Sequence, residues 1–265
     1  MIIGVLTCRI LELEWAHLLT RDPDVARITV LEEGHSSGLI ESVRAEGRAV
    51  RVVSGLPPSR SAEEAPVSPL SCGPRIEVIV RMLQLGLHSR KQALLEGVVQ
   101  AADDLGRHVD AIVLGYGLCG NVLRDPAALL AGCGVPVFIP MDEDHPVDDC
   151  VGLIIGGREN YFAEQCKEPG TFFMTAGWAR HWRTVFMGSG KSYTAAAIKM
   201  MFAEYKRSLL VLSPVLAEGE MRQQIEEFNT LLGLRTETVQ GSFGILEATW
   251  REAKQHVLSA REGIR

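Results

Sequence analysis

The clearest strand in the sequence is Asp110-Ala-Ile-Val-Leu-Gly115, which runs directly into Tyr116-Gly-Leu-Cys-Gly-Asn121. A short apolar run that ends at glycine is typical of a strand buried on both faces of a parallel sheet. Glycines in the following turn let the backbone bend sharply and approach a ligand closely. This stretch therefore predicts a buried strand with a cysteine, Cys119, at its carboxyl end.

Similar runs recur along the chain and alternate with helical patterns. We predict strands at residues 2–7, 28–31, 76–80, 110–115, 136–140, 171–174, 209–212 and 235–239. Apolar residues at helical spacing separate several of them, as in Leu11, Trp15 and Leu18; Leu94, Val98 and Leu105; Ile198, Met201, Phe202 and Tyr205; and Met221, Ile225, Phe228 and Leu231. A Ser-x-x-Gln capping box at Ser89 is expected to open the second of these helices. The alternation predicts an α/β fold with a mostly parallel, Rossmann-like doubly wound sheet, built as a single α/β domain over residues 1–265 or as two closely packed lobes.

Composition narrows the class of protein. Of 265 residues, 46% are hydrophobic and 23% charged, an ordinary globular balance. A net charge of −6 and no long Lys/Arg cluster argue against binding to nucleic acid or to an anionic membrane. The opening MIIGVLTC has no basic segment, and no run reaches eighteen apolar residues, so we expect a cytoplasmic protein with a small-molecule substrate. The Pro/Ser-rich segment 54–74 is predicted to be a loop or insertion.

The six cysteines are widely spaced, which argues against a disulfide framework and favours thiols that are buried, metal-bound or reactive. Three of them, Cys72, Cys133 and Cys166, have no predicted role. The other three and one histidine each follow a short apolar run: Cys8, His88, Cys119 and Cys150. Because ligands bind outside the carboxyl ends of parallel strands, we expect these four side chains to converge.

Three cysteines and one histidine form a known zinc ligand set, and three thiolates can also hold an iron–sulfur cluster with one open iron position. Four protein ligands would close a zinc site, so catalysis would require His88 or Cys8 to be displaced. A metal-free alternative makes Cys119 a covalent nucleophile with His88 as its base. For each cysteine taken alone, inert burial is a further reading.

Other residues are candidates for lining the site. Backbone N–H groups around Gly117, Gly120 and Asn121 can form a nest that binds an anion and lowers a thiol pKa. Arg158 and Trp178 lie in glycine-containing segments and are predicted to line a substrate or cofactor pocket, although an ordinary turn and a core tryptophan explain them equally well. The acidic stretch Asp142-Glu-Asp-His145 is either a solvated loop or a source of carboxylates near Cys150.

One phosphate-binding pattern is incomplete. Gly190-Lys-Ser192 resembles the end of a P-loop, but Val185 stands where that motif requires glycine, so we do not expect nucleotide hydrolysis. We expect residues 189–192 to begin a helix instead.

The chain resembles the prokaryotic family catalogued as domain of unknown function 1638, well over about residues 76–180. The resemblance rests on Leu87-His88, Gly115-Tyr-Gly-Leu-Cys-Gly-Asn121, Asp149-Cys150, Leu153-Ile-Ile-Gly-Gly-Arg-Glu-Asn-Tyr161 and Pro169-Gly-Thr with Thr175-Ala-Gly-Trp178. Cys8 falls where that family carries an early cysteine. The segment 141–147 is acidic and longer than in the family pattern, which has basic residues there.

Members of this family are often encoded near corrinoid-dependent methyl-transfer systems, so the resemblance implies a corrinoid protein as a partner. Our first hypothesis is a zinc-thiolate enzyme that transfers a methyl or similar small group to or from a bound thiol. The rival is a non-catalytic accessory protein that binds a metal, an iron–sulfur cluster or a corrinoid partner. The chain lacks the Asp-x-His-x-x-Gly signature of a corrinoid ligand.

Overall fold

The computed structural model describes residues 1–56, 76–85, 90–188 and 193–262. In these ranges the strands are β1 Ile2–Cys8, β2 Val25–Leu31, β3 Val50–Val53, β4 Ile76–Leu83, β5 Ala111–Gly115, β6 Val137–Phe138, β7 Met141–Asp142, β8 His145–Pro146, β9 Thr171–Met174, β10 Arg207–Leu212 and β11 Arg235–Gln240. The helices are α1 Glu12–Arg21, α2 Ser37–Ala45, α3 Lys91–Gly106, α4 Pro126–Leu130, α5 Cys150–Ile155, α6 Arg158–Lys167, α7 Ala176–Met187, α8 Ala195–Met201, α9 Glu218–Leu232 and α10 Gly244–Glu262.

Six parallel strands form the larger sheet in the order β3-β2-β4-β1-β5-β6. The first strand is central, and it pairs with β4 on one side and β5 on the other, with Thr7 opposite both Met82 and Gly115. Central strands of a parallel sheet are covered on both faces, and this explains why β1 and β5 are apolar along almost their whole length.

Helices cover both faces of this sheet. Ile3 and Val5 of β1 point into a core that includes α1, α2 and α10, whereas Leu6 points into a second core with α3 and α4. Successive side chains of a strand alternate between faces, so one apolar strand serves both cores. The predicted fold class, an α/β protein with a parallel, Rossmann-like doubly wound sheet, is confirmed.

A second parallel sheet has the order β11-β10-β9. Its residues Leu210 and Met174 pack with α7, α8 and α9 around Trp182 and Phe228. The opposite face, through Phe173 and Leu209, joins the core that contains α1 and α10. Trp250 of α10 packs edge-on against Trp15 of α1 and donates a 2.6 Å hydrogen bond to Asp22, which ties the last helix to the first.

Several predicted elements differ from the structure in detail. The edge strand β3 and the antiparallel pair β7-β8 were not predicted. Tyr205 lies beyond the end of α8, so the predicted helix face there was too long. Arg90 is the residue that precedes α3 and it makes no side-chain cap, while Ser89 and residues 189–192 lie outside the described residues.

Most of the segment 54–74, with Cys72, also lies outside the described ranges. Within those ranges, none of the helices combines the length and the apolar character needed to cross a membrane.

Candidate thiol site

At the carboxyl end of β1 the connections of the large sheet switch from one face to the other. From Cys8, the last residue of β1, the chain passes through a short 3-10 turn into α1 on one face. The two neighbouring strands, β4 and β5, lead to α3 and α4 on the opposite face. Such a switch point is the usual ligand position in an open α/β sheet, and Cys8 stands at its centre.

Cys119 lies in a strained loop after β5. Cys119, Gly120 and Asn121 have φ angles of 49°, 68° and 63°, a run of three left-handed residues of which only one is glycine. Left-handed backbone costs an ordinary residue about 1–2 kcal/mol. Hydrogen bonds from the amides of Leu118 and Cys119 to the carbonyls of Val147 and Asp148, at 2.8 and 2.9 Å, hold the loop in place.

The same backbone contacts bring this loop to Cys150, the first residue of α5. The side chain of Asp149 caps that helix by accepting a 2.8 Å hydrogen bond from the amide of Gly152. A Cβ atom added to Gly117 would lie 2.6 Å from both the N and the Cα of Asp149, so glycine is required at this approach. Cys150 does not directly follow a strand of the large sheet, because the β7-β8 pair intervenes.

The three thiols lie within electrostatic range of one another. Burial is the main cause that raises the pKa of Cys119 to about 12, and negative charge on Cys8 and Asp149 adds to it. Burial likewise raises the pKa of Cys150 well above its usual value, with further contributions from Asp149, Cys119 and Cys8. The structure therefore brings Cys8 together with Cys119 and Cys150, which follow it by more than a hundred residues of sequence.

Two aromatic side chains direct polar groups at these sulfur atoms. The hydroxyl of the buried Tyr116 lies near enough to Cys8 to lower the pKa of its thiol. The indole N–H of Trp178 is near enough to Cys150 to lower its pKa, although it lacks the geometry of a full hydrogen bond and has no other partner within the described ranges. Thr175 caps α7 and orients its first turn, since its hydroxyl accepts from the amide of Trp178 at 3.4 Å.

A charged network adjoins Cys8. Burial raises the pKa of this thiol to about 11, and the charge of Glu12 contributes in the same direction. Glu12 is itself fully buried; its Oε1 atom lies 2.8 Å from His181 Nε2 and 3.3 Å from Arg180 Nη1. Arg9 Nε lies 3.8 Å from the other oxygen of this carboxylate.

Sequence reasoning missed Tyr116 as a member of the site and missed this network completely. The sequence feature that indicates Tyr116 as part of the site is its position directly after β5. For Glu12 there was none, because a glutamate at the start of a helix is normally solvated.

The donor set suits a soft metal ion, because thiolates bind zinc and iron–sulfur clusters well. Among the described residues, however, no group of three or more His, Cys, Asp and Glu side chains is arranged to hold a metal ion. His88, the fourth predicted ligand, lies outside the described residues. The structure thus gathers the three thiols without showing a preformed ligand shell in the part of the chain it describes.

The remaining candidates have structural contacts of their own. Arg158 begins α6, its amide donates to Asp142 at 2.6 Å and its guanidinium donates to Asp144 at 3.0 Å. Asp142 thereby caps α6, which gives part of the acidic stretch a structural role. Cys133 is buried with its thiol near the carbonyl of Val135, and Cys166 is exposed on α6.

Residues 82–250 match the sequence profile of the family described as protein of unknown function (DUF1638). The chain belongs to this family. The DUF1638 match includes Cys119, Cys150, Trp178, Arg180 and His181, whereas Cys8, Arg9 and Glu12 lie before its first residue. Comparison with the curated proteins and with the solved structures gave no match.

Proposed function

We propose that this DUF1638 protein is a metal-dependent enzyme in which Cys8, Cys119 and Cys150 bind zinc as thiolates and a small thiol compound is the substrate. The observation that carries the proposal is the approach of three buried thiols from three separate segments to one end of the sheet. When bound, zinc supplies a positive charge that holds a substrate thiol as a thiolate at neutral pH.

The raised pKa values favour metal binding over a metal-free nucleophile. A thiol with a pKa of about 12, as at Cys119, is protonated at neutral pH and is a poor nucleophile. Burial and the mutual repulsion of negative sulfurs are the causes, and a dication would offset both. The same environment that makes these thiols inert without metal therefore suits them to hold one.

The chain's own residues supply further parts of the site. Tyr116 and Trp178 direct an O–H and an N–H at the sulfurs of Cys8 and Cys150, where these dipoles stabilise negative charge. Asp149 fixes the start of α5 and so positions Cys150. The three cysteines are partly buried, and the reduced access of water to them strengthens the electrostatic interactions there.

The finer assignment, transfer of a methyl group in a corrinoid-dependent system in the cytoplasm, is supported by the family resemblance and by the chemistry of zinc-bound thiols. A second candidate is a non-catalytic accessory protein with an iron–sulfur cluster. It is favoured by the presence of three thiols without a fourth cysteine beside them among the described residues.

Anaerobic purification followed by elemental analysis tests the proposal. We expect about one zinc ion per chain in the wild type and in the matched control Cys166→Ser, whose thiol is exposed on α6. Cys8→Ser, Cys119→Ser and Cys150→Ser should each lose the metal. A brown protein with iron and sulfide would support the cluster instead, and equal zinc in all the variants would show that the three thiols are not its ligands.

A further inference from the structure

The network around Glu12 has an unbalanced positive charge. Two guanidinium groups, those of Arg9 and Arg180, face the two oxygens of one buried carboxylate at 3.8 and 3.3 Å. The neighbouring Glu14 adds no compensating charge at neutral pH, because burial raises its pKa to about 8. The cluster of Arg9, Glu12 and Arg180 therefore carries one excess positive charge beside Cys8.

Both guanidinium groups keep unused hydrogen-bond donors. Arg9 Nε is buried and has no hydrogen-bond partner among the described residues, since 3.8 Å from Glu12 is too long for such a bond. Arg180 makes one ion pair within the described residues, the one with Glu12. Arg207 is a useful contrast, because its three nitrogens bind Thr171, Glu164 and Glu237.

The two arginine side chains are partly open to solvent. The side chains of Arg9 and Arg180 are 24% and 34% exposed, whereas the Glu12 carboxylate between them is fully covered. Glu12 thus lies beneath the two arginines, and part of each arginine side chain stays exposed. A ligand can reach the arginines without displacing the carboxylate that positions them.

The arginines also adjoin the thiols. Arg9 directly follows Cys8, and Arg180 lies in the first turns of α7, the helix that carries Trp178 beside Cys150. A Cβ atom on Gly177 would overlap the carbonyl oxygen of Ile10, so α7 begins in direct contact with the turn that carries Arg9. The start of α2 reaches the same carboxylate, because a Cβ on Gly38 would overlap the carboxylate oxygens of Glu12.

At that helix start, Ser36 is 1% exposed, and its hydroxyl has no hydrogen-bond partner in the part of the chain that the structure describes. The amino end of a helix favours negative charge, as the two arginines do.

We infer that Arg9 and Arg180 form a subsite for the carboxylate of a small substrate whose sulfur end reaches the thiol site. This inference rests on the proposed function and names its substrate class, a thiol or methylated thiol that also bears a carboxylate. One excess positive charge matches one carboxylate, and the planar guanidinium binds that group with two parallel hydrogen bonds.

Two thiols of similar size provide the test, mercaptoacetate and the uncharged 2-mercaptoethanol. Calorimetric titration of the zinc-loaded full chain should show mercaptoacetate binding about tenfold or more tightly than 2-mercaptoethanol. Arg9→Gln and Arg180→Gln should remove most of this preference. Arg183→Gln is the matched control on α7, because Arg183 is half exposed and pairs with Glu227, and it should keep the preference.

A second arm separates this inference from the metal proposal. Ligand-observed NMR on the metal-free chain, with acetate and acetamide as probes, should show binding of acetate that Arg180→Gln abolishes and Arg183→Gln retains. Acetate binding of this kind in a protein that takes up no zinc would keep the subsite and refute the metal site. Zinc binding with no preference for either carboxylate probe, or a preference that survives in both arginine variants, would overturn the subsite alone.

Discussion

Gly117 lies against the backbone of Asp149, with no space for a side chain between them. This contact joins the loop that carries Cys119 to the residue that precedes Cys150. The separation of the two thiols is therefore set by main-chain packing, which is more rigid than contact between flexible side chains. Ligands of a metal or a substrate need such support to stay in position.

Gly117→Ala should destabilise the protein by about 1–3 kcal/mol, because the added methyl group collides with the backbone of Asp149 and forces the two segments apart. Urea denaturation measures this loss. Gly132→Ala is the control, since a Cβ there meets no atom within 4 Å, and it should change the stability by less than about 0.5 kcal/mol. Equal stability of the two variants would contradict the close packing.

Glu14 should make the protein less stable as the pH rises. Burial raises its pKa in the folded state from 4.5 to about 8, so between these values the folded chain holds a proton that the unfolded chain has lost. Stability contributed by this group is complete below about pH 4.5, falls between about pH 4.5 and 8, and is constant above that range.

Glu14→Gln should remove this component and raise the free energy of unfolding above pH 8 by on the order of a few kcal/mol. The measurement is the difference between variant and wild type in denaturation curves taken across the pH range. Glu41→Gln, at an exposed position of α2, is the control. A difference between the Glu14 variant and the wild type that does not vary with pH would refute the prediction.

Arg207→Met should cost about 1–3 kcal/mol of stability, because it removes the buried cation of the nearly buried Glu164 carboxylate, which keeps the largely exposed Lys167 as its other ion-pair partner. Arg207 also donates to Thr171 at 2.7 Å, so the loss weakens the link between β9 and β10. Thermal or urea denaturation reports the change. The exposed pair of Arg222 with Glu218 provides the comparison, and Arg222→Met should lose less than about 0.5 kcal/mol.

The thiols of the site should resist alkylation in the metal-free protein. With pKa values of about 11 for Cys8 and about 12 for Cys119, few thiolates form at neutral pH. Iodoacetamide followed by mass spectrometry should find the exposed Cys166 modified first, and the three site cysteines unmodified up to about pH 9. After unfolding in urea, all of them should react. Modification of Cys119 in the folded chain as fast as Cys166 would contradict its burial.

Much of the fold could be predicted from local patterns, because the strands of a buried parallel sheet are continuous apolar runs. The runs that became β1, β5 and β10 illustrate this. The short edge strand β3 escaped prediction since its four residues are only partly buried and have no distinctive pattern. Pairing of β1 with β4 and β5 depends on contacts between distant segments, which no local pattern records.

The approach of Cys8, Cys119 and Cys150 could be anticipated from the rule that ligands gather at the carboxyl ends of strands. The burial of Glu12 and Glu14 could not be anticipated from the sequence. Helix α1 is covered on one side by the large sheet and on another by α7, so positions that are solvated in an ordinary surface helix lie inside the protein. Whether a helix is covered on one side or on several is a property of the whole fold.

Helix α10 affects how the protein folds while it is synthesised on the ribosome. Its residues complete the core over β5 and β6, and its Trp250 closes over Trp15 near the beginning of the chain. During synthesis, that apolar face stays uncovered until α10 has left the ribosome. The nascent polypeptide exposes this surface to aggregation until then, and chaperones that shield apolar surface should bind it until α10 has packed.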